Sequence, residues 1–136
     1  EDEGADCTVH SDLMSAINRI DVAEAEIELS WQEGRQLRAS SEMSVQVGRA
    51  AESDLCLTDP RVSRVHARIE WRQGAFVLTD LSSFGTWVRF SGSDTPVQLR
   101  RDNCLLHGKG EISLGVPFGD RTAPVVSFRV WDKGVI

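Results

Sequence analysis

Apolar and polar residues change rhythm once along this chain. Leu13, Met14, Ile17 and Ile20 recur at helical spacing after Ser11, which can cap a short helix. A helix of about a dozen residues is marginal alone and has to dock to persist. From residue 26 the period becomes two. Ile27, Leu29 and Trp31 alternate with Glu26, Glu28 and Ser30, the pattern of a half-buried strand. Gln32-Glu33-Gly34 makes a turn into a second strand over 35–39, and Met43, Val45 and Val47 alternate into Gly48. The same reading predicts strands at 55–58, 66–71, 75–79, 86–89, 97–99, 104–106, 110–114 and 125–131, with Arg72-Gln73-Gly74 as a hairpin turn. No convincing helix follows residue 25. Eleven short strands separated by Gly, Ser, Asp and Pro predict an all-β sandwich over residues 26–136, preceded by an acidic linker with a short helix over 1–25. Trp31, Trp71, Trp87 and Trp131 all fall in strands, where packing is the expected role.

Composition narrows the class. A chain of 136 residues with 40% apolar and 26% charged residues suits one globular domain with its own core. No apolar run approaches the roughly 20 residues that span a bilayer. Cys7, Cys56 and Cys104 are too few and too odd a set for a disulfide framework, which points to a reducing, cytoplasmic compartment. The start without Met suggests a fragment of a longer chain. The net charge of −6 is unevenly spread: residues 1–30 hold nine acids and one base, leaving 12 acids and 14 bases in 31–136. Thirteen of the 15 bases are Arg, whose planar fork suits geometric recognition of carboxylate or phosphate. The basic excess is too small for a generic nucleic-acid binder.

Candidate chemistry lies in three loops at predicted strand ends. One carries Arg49, the next Arg61, Ser63 and Arg64, and the third Ser82 and Ser83. If a sandwich brings these loops to one end, guanidinium and hydroxyl donors converge on one spot. Such donors match a phosphate, which carries about −1.5 to −2 charge near neutral pH.

The blocks Gly48-Arg49, Ser63-Arg64-Val65-His66, Asp80-Leu81-Ser82-Ser83 before Gly85-Thr86, and Gly110-Glu111-Ile112-Ser113-Leu114-Gly115 stand in order. Over roughly residues 27–131 the chain resembles a forkhead-associated (FHA) domain, an eleven-stranded β-sandwich that binds phosphothreonine peptides. The strings around Ser82–Phe90 and Gly108–Gly115 also resemble FHA segments attached to bacterial nucleotide cyclases. The resemblance implies that Arg49 and Ser63 bind the phosphate, that Arg64 adds a charged donor and that Ser83 lines the pocket or contacts the peptide. It implies a bracing role for His66 and turn-shaping roles for Gly48, Gly85 and Thr86. Arg61 then faces the path of downstream peptide residues and favours an acidic side chain there. A small pocket for the threonine methyl rejects phosphoserine by the same analogy. Three or four charge-assisted hydrogen bonds support about micromolar affinity once ordering costs are subtracted. One position departs from the pattern. The family usually has Asn just before the Gly-Thr pair, holding the peptide backbone, and this chain has Phe84, whose ring offers apolar contact without hydrogen bonds.

The expected function is therefore non-catalytic: a phosphothreonine-recognition module for a phosphorylated partner protein, with no metal, cofactor or nucleic acid. The alternative is a divergent FHA-like module for phosphate-independent self-association, as a homodimer, or for regulation of an attached enzymatic domain. Ser63, His66 and Asp80 do not make a hydrolase, because Ser63 and His66 share one short segment with no nucleophile elbow. Cys104 and His107 form a C-x-x-H pair without the second pair a zinc site needs. His107-Gly108-Lys109-Gly110 reads as a hairpin turn, and Arg100-Arg101 as an exposed pair with no ligand.

Overall fold

A computed structural model describes residues 25–132. The helix expected after Ser11 lies outside the described residues. Eleven strands follow, as the period-two pattern predicts: β1 (Ala25–Trp31), β2 (Arg35–Ser40), β3 (Val45–Gly48), β4 (Leu55–Cys56), β5 (Ala67–Arg72), β6 (Ala75–Asp80), β7 (Thr86–Phe90), β8 (Val97–Leu99), β9 (Asn103–Leu106), β10 (Lys109–Leu114) and β11 (Val125–Asp132). They form two sheets, one in the order β9-β6-β5-β3-β4 and the other β2-β1-β11-β10-β7-β8. All pairs are antiparallel except β3 with β4. Among the described residues no helix is long and apolar enough to cross a membrane.

Alternation decides which side chains meet between the sheets. In β1 every second residue is buried, from Ala25 to Trp31, while Glu26, Glu28 and Ser30 face outward. Ile27 and Leu29 from one sheet and Ile69, Phe76 and Leu78 from the other are at most 1% exposed and belong to one core. Burying each such side chain contributes about 1.5–3 kcal/mol. The first strand begins one residue before the expected boundary, because Ala25 is itself buried and pairs with Asp132.

The turn after β5 is a two-residue connection with Gln73 at φ 52° and Gly74 at φ 87°. Two positive φ values match the right-handed twist of a hairpin, as Arg72-Gln73-Gly74 suggests. His107-Gly108 is different and corrects the hairpin expectation. β9 pairs with β6, whereas β10 pairs with β7 and β11, so these residues carry the chain from one sheet to the other. His107 stacks on Phe90 with ring centroids 4.5 Å apart.

Register brings the candidate loops together. Val47 pairs with Ala67, and Ala67 pairs with Asp80. The end of β3, the start of β5 and the end of β6 therefore share one rim of the sandwich. The loops after Gly48, before Ala67 and after Asp80 emerge from that rim.

Candidate functional site

The segment 62–66 packs directly on the end of β3. The Arg49 amide donates to the Ser63 carbonyl at 2.9 Å, the Ala50 amide to the Arg64 carbonyl at 3.1 Å, and the His66 amide to the Val47 carbonyl at 2.8 Å. This approach requires glycine at position 48, where a Cβ would run into the Arg64 carbonyl. The Arg49 side chain then lies along the same segment, its Nε–H donating to the Val62 carbonyl at 2.9 Å. Residue 49 is exposed, and among the described residues no carboxylate lies within ion-pair distance of Arg49 or Arg64. One bond fixes the Arg49 guanidinium while its terminal nitrogens remain available to an anion.

The third loop closes onto the second. The Ser83 amide donates to Ser63 Oγ at 3.0 Å, so the hydroxyl hydrogen of Ser63 is left for another acceptor. His66 is fully buried beneath this contact. Its Nδ1 accepts from the Ser63 amide at 3.0 Å, which assigns the ring hydrogen to Nε2, and Nε2 donates to the Gly85 carbonyl at 3.0 Å. One imidazole thus ties both loops. Gly85 adopts φ 101°, a conformation that favours glycine. Arg49, Ser63 and Ser83 are brought together on the rim, with Arg64 exposed beside them.

Burial lowers the pKa of His66, although the Gly85 carbonyl and the charge of Asp80 partly oppose this. Protonation would also put a second donor against the Ser63 amide. Below the ordinary histidine value of about 6.5 the unfolded chain takes up the proton first, so stability must fall with pH. The contribution is complete above that value and is lost as pH drops toward the lower folded value. Thermal unfolding at pH 7.5, 6.5 and 5.5 is expected to show a decline for the native chain that His66→Asn flattens. Parallel slopes would contradict it.

A second cluster holds the third loop rigid. Asp80 is 1% exposed and accepts four hydrogen bonds. Its Oδ1 takes the Ser82 hydroxyl at 2.6 Å, the Thr86 hydroxyl at 2.7 Å and the Ser82 amide at 3.2 Å, and its Oδ2 takes the Arg101 amide at 2.8 Å. Burial pushes this carboxyl up, but the bonds from Ser82, Arg101 and Thr86 outweigh it and leave the net shift downward. Ser82 Oγ in turn accepts the Gly85 amide at 2.8 Å, and Arg101 Nε–H donates to the Ser82 carbonyl at 3.0 Å. Asp80, Ser82 and Arg101 position the rim, and the sequence reading gave none of them that role. The Asp-x-Ser spacing carried a signal, since an aspartate commonly accepts the amide two residues on. Nothing local signalled Arg101.

Arg61 does not join the cluster. Its Nε–H and an Nη2 hydrogen go to Asp59 at 2.9 and 2.7 Å, the other Nη2 hydrogen to the Thr122 carbonyl at 2.7 Å, and Nη1 to Thr122 Oγ1 and Asp120 at 3.1 and 3.5 Å. All five donors of the guanidinium are engaged. The hydrogen bond from Arg61 also draws the Asp59 carboxyl below the usual range. Arg61 clasps the 59–61 turn to the 120–122 loop and has no donor left for a peptide carboxylate. Phe84 is 54% exposed on the rim, and Thr86 is buried on Asp80.

The family model described as FHA domain matches residues 45–115. Among solved structures, the first FHA domain of Mycobacterium tuberculosis Rv1747 is 22% identical, covering 79% of this chain and 98% of that one with a TM-score of 0.62, a likeness of fold. The FhaA FHA domain, solved in complex with the intracellular domain of Rv3910, is 28% identical over 79% of this chain and 99% of that one, TM-score 0.53. A chain from a structural and functional study of phosphothreonine-dependent FHA domain interactions is 28% identical over 79% of this chain and 94% of that one, TM-score 0.52. The chloroplastic zeaxanthin epoxidase of Prunus armeniaca shares 44% identity over 48 residues, 31% of this chain but only 7% of that protein's length.

Proposed function

The chain belongs to the FHA domain family, and from the cluster on its rim we propose that it binds phosphothreonine in a partner protein without catalysing a reaction. The observation that carries this reading is the exposed Arg49, tethered by one bond to the Val62 carbonyl beside a Ser63 hydroxyl whose own hydrogen is free. Arg49 and Arg64 offset the charge of a phosphate dianion, and Ser63 donates to one of its oxygens. The loops are already tied by His66 and Asp80, so little ordering cost remains on binding. The relatives at 28% identity support the same reading, since one comes from work on phosphothreonine-dependent interactions and another was solved with a partner protein's intracellular domain.

Fluorescence-polarisation titration of a phosphothreonine peptide library tests it, with phosphoserine and unphosphorylated versions as controls. Binding near micromolar is expected for the preferred phosphothreonine sequences, about tenfold or more tighter than either control. Equal weak binding in all three arms would remove the proposal.

A further inference from the structure

Phe84 follows Ser83 in the loop that closes the rim. The Ser83 amide is bonded to Ser63 Oγ at 3.0 Å, and the Gly85 carbonyl accepts from His66 Nε2 at 3.0 Å and from the Gly115 amide at 3.0 Å. The backbone of Phe84 is therefore held on both sides against the 63–66 segment. Residue 84 is nonetheless 54% exposed, and Val65 on that same segment is 38% exposed. A large exposed apolar residue on a tethered backbone at the edge of a polar cluster is an energetic cost to the free domain that a ligand can recover.

Charge argues the same way. Arg61 has every donor engaged by Asp59, Asp120 and Thr122, so it offers nothing to an acidic ligand residue. Arg49 and Arg64 are taken by the phosphate on the reading above, and Arg101 holds the Ser82 carbonyl through its Nε–H. The Phe84 ring is an exposed apolar group beside the phosphate cluster that a neighbouring ligand side chain can cover. Consecutive Cα atoms are about 3.8 Å apart and an extended peptide advances about 3.3 Å per residue. A group next to Ser83 thus reaches the first or second residue from a phosphate seated on Ser63.

We infer that Phe84 is a specificity-determining residue, selecting phosphothreonine peptides with an apolar side chain one or two positions from the phosphorylated residue. This rests on the phosphothreonine reading, and it differs from the acidic preference expected of Arg61. A hydrogen-bonding residue at position 84 would hold peptide backbone and read no side chain there. A phenyl ring recognises what it covers.

The test uses the preferred phosphothreonine peptide with Leu, Ala or Asp placed in turn at each of the two positions on either side. Each is titrated against the native chain, Phe84→Ala and Phe84→Asn. The native chain is expected to favour Leu over Asp about tenfold at one of these positions. Both variants are expected to lose that preference while still discriminating phosphorylated from unphosphorylated peptide. Phosphate-dependent binding with a flat or acidic preference, or a Leu preference that both variants keep, overturns the role of Phe84 alone. Absence of phosphate-dependent binding in the native chain overturns the phosphothreonine reading and this inference with it.

Discussion

Arg49→Ala is expected to weaken phosphothreonine-peptide binding about 100-fold, the loss of roughly two charge-assisted hydrogen bonds at about 1.5–3 kcal/mol each after partial replacement by water. The residue is exposed, and its side chain makes one internal bond, to the Val62 carbonyl. Melting temperature should therefore hardly move, which separates loss of recognition from loss of fold. Arg49→Lys keeps the charge but not the planar fork, since its three N–H donors diverge from one nitrogen and cannot form the parallel pair a guanidinium offers a phosphate. It is expected to fall between the native chain and the alanine variant. Isothermal titration with one phosphopeptide decides the matter. An alanine variant within threefold of the native affinity would mean that the phosphate seats elsewhere.

The largest expected effect on stability belongs to Asp80→Ala. The carboxylate is buried and takes the Ser82 hydroxyl and amide, the Thr86 hydroxyl and the Arg101 amide. Removing it leaves buried donors without acceptors, at about 1–3 kcal/mol for each that water cannot reach. A total of about 3–5 kcal/mol follows, a fall in melting temperature of about 10–20 °C for a domain of this size. The same deletion frees the 81–85 loop, so Ser83 no longer holds the Ser63 hydroxyl and binding should weaken as well. Asp80→Asn retains one acceptor but turns an amide toward the Arg101 N–H or the hydroxyls, and its loss is expected to be intermediate. Urea unfolding of the three proteins measures both values. A loss below about 1 kcal/mol for the alanine variant would show that the network carries little of the stability.

The two predictions concern residues that differ in how far local sequence discloses them. Arg49 is legible because it follows a strand-ending glycine and stands in a set of ordered blocks. Asp80 falls in one of those blocks, yet its contribution depends on Thr86 and Arg101, the second of them 21 residues away. Arg61 shows the opposite error. Its place two residues before Ser63 suggested a ligand contact, but the loop around Thr122 comes back across the chain and takes up its guanidinium. A solvated arginine and a saturated one look alike until the distant partner is placed. His107-Gly108 misled for a related reason, because a short turn between two strands looks the same whether the strands pair or part into different sheets.

Local sequence alone specified the set of strands and the inward side chains, because period-two alternation is a local record of which face meets water. Ordered short motifs also carried the identity of the family. Only the tertiary structure decided which donors remain free at the rim. Hydrogen-bond capacity is finite, and whether Arg49 or Arg61 has any left depends on acceptors far away in sequence that folding brings within hydrogen-bonding distance.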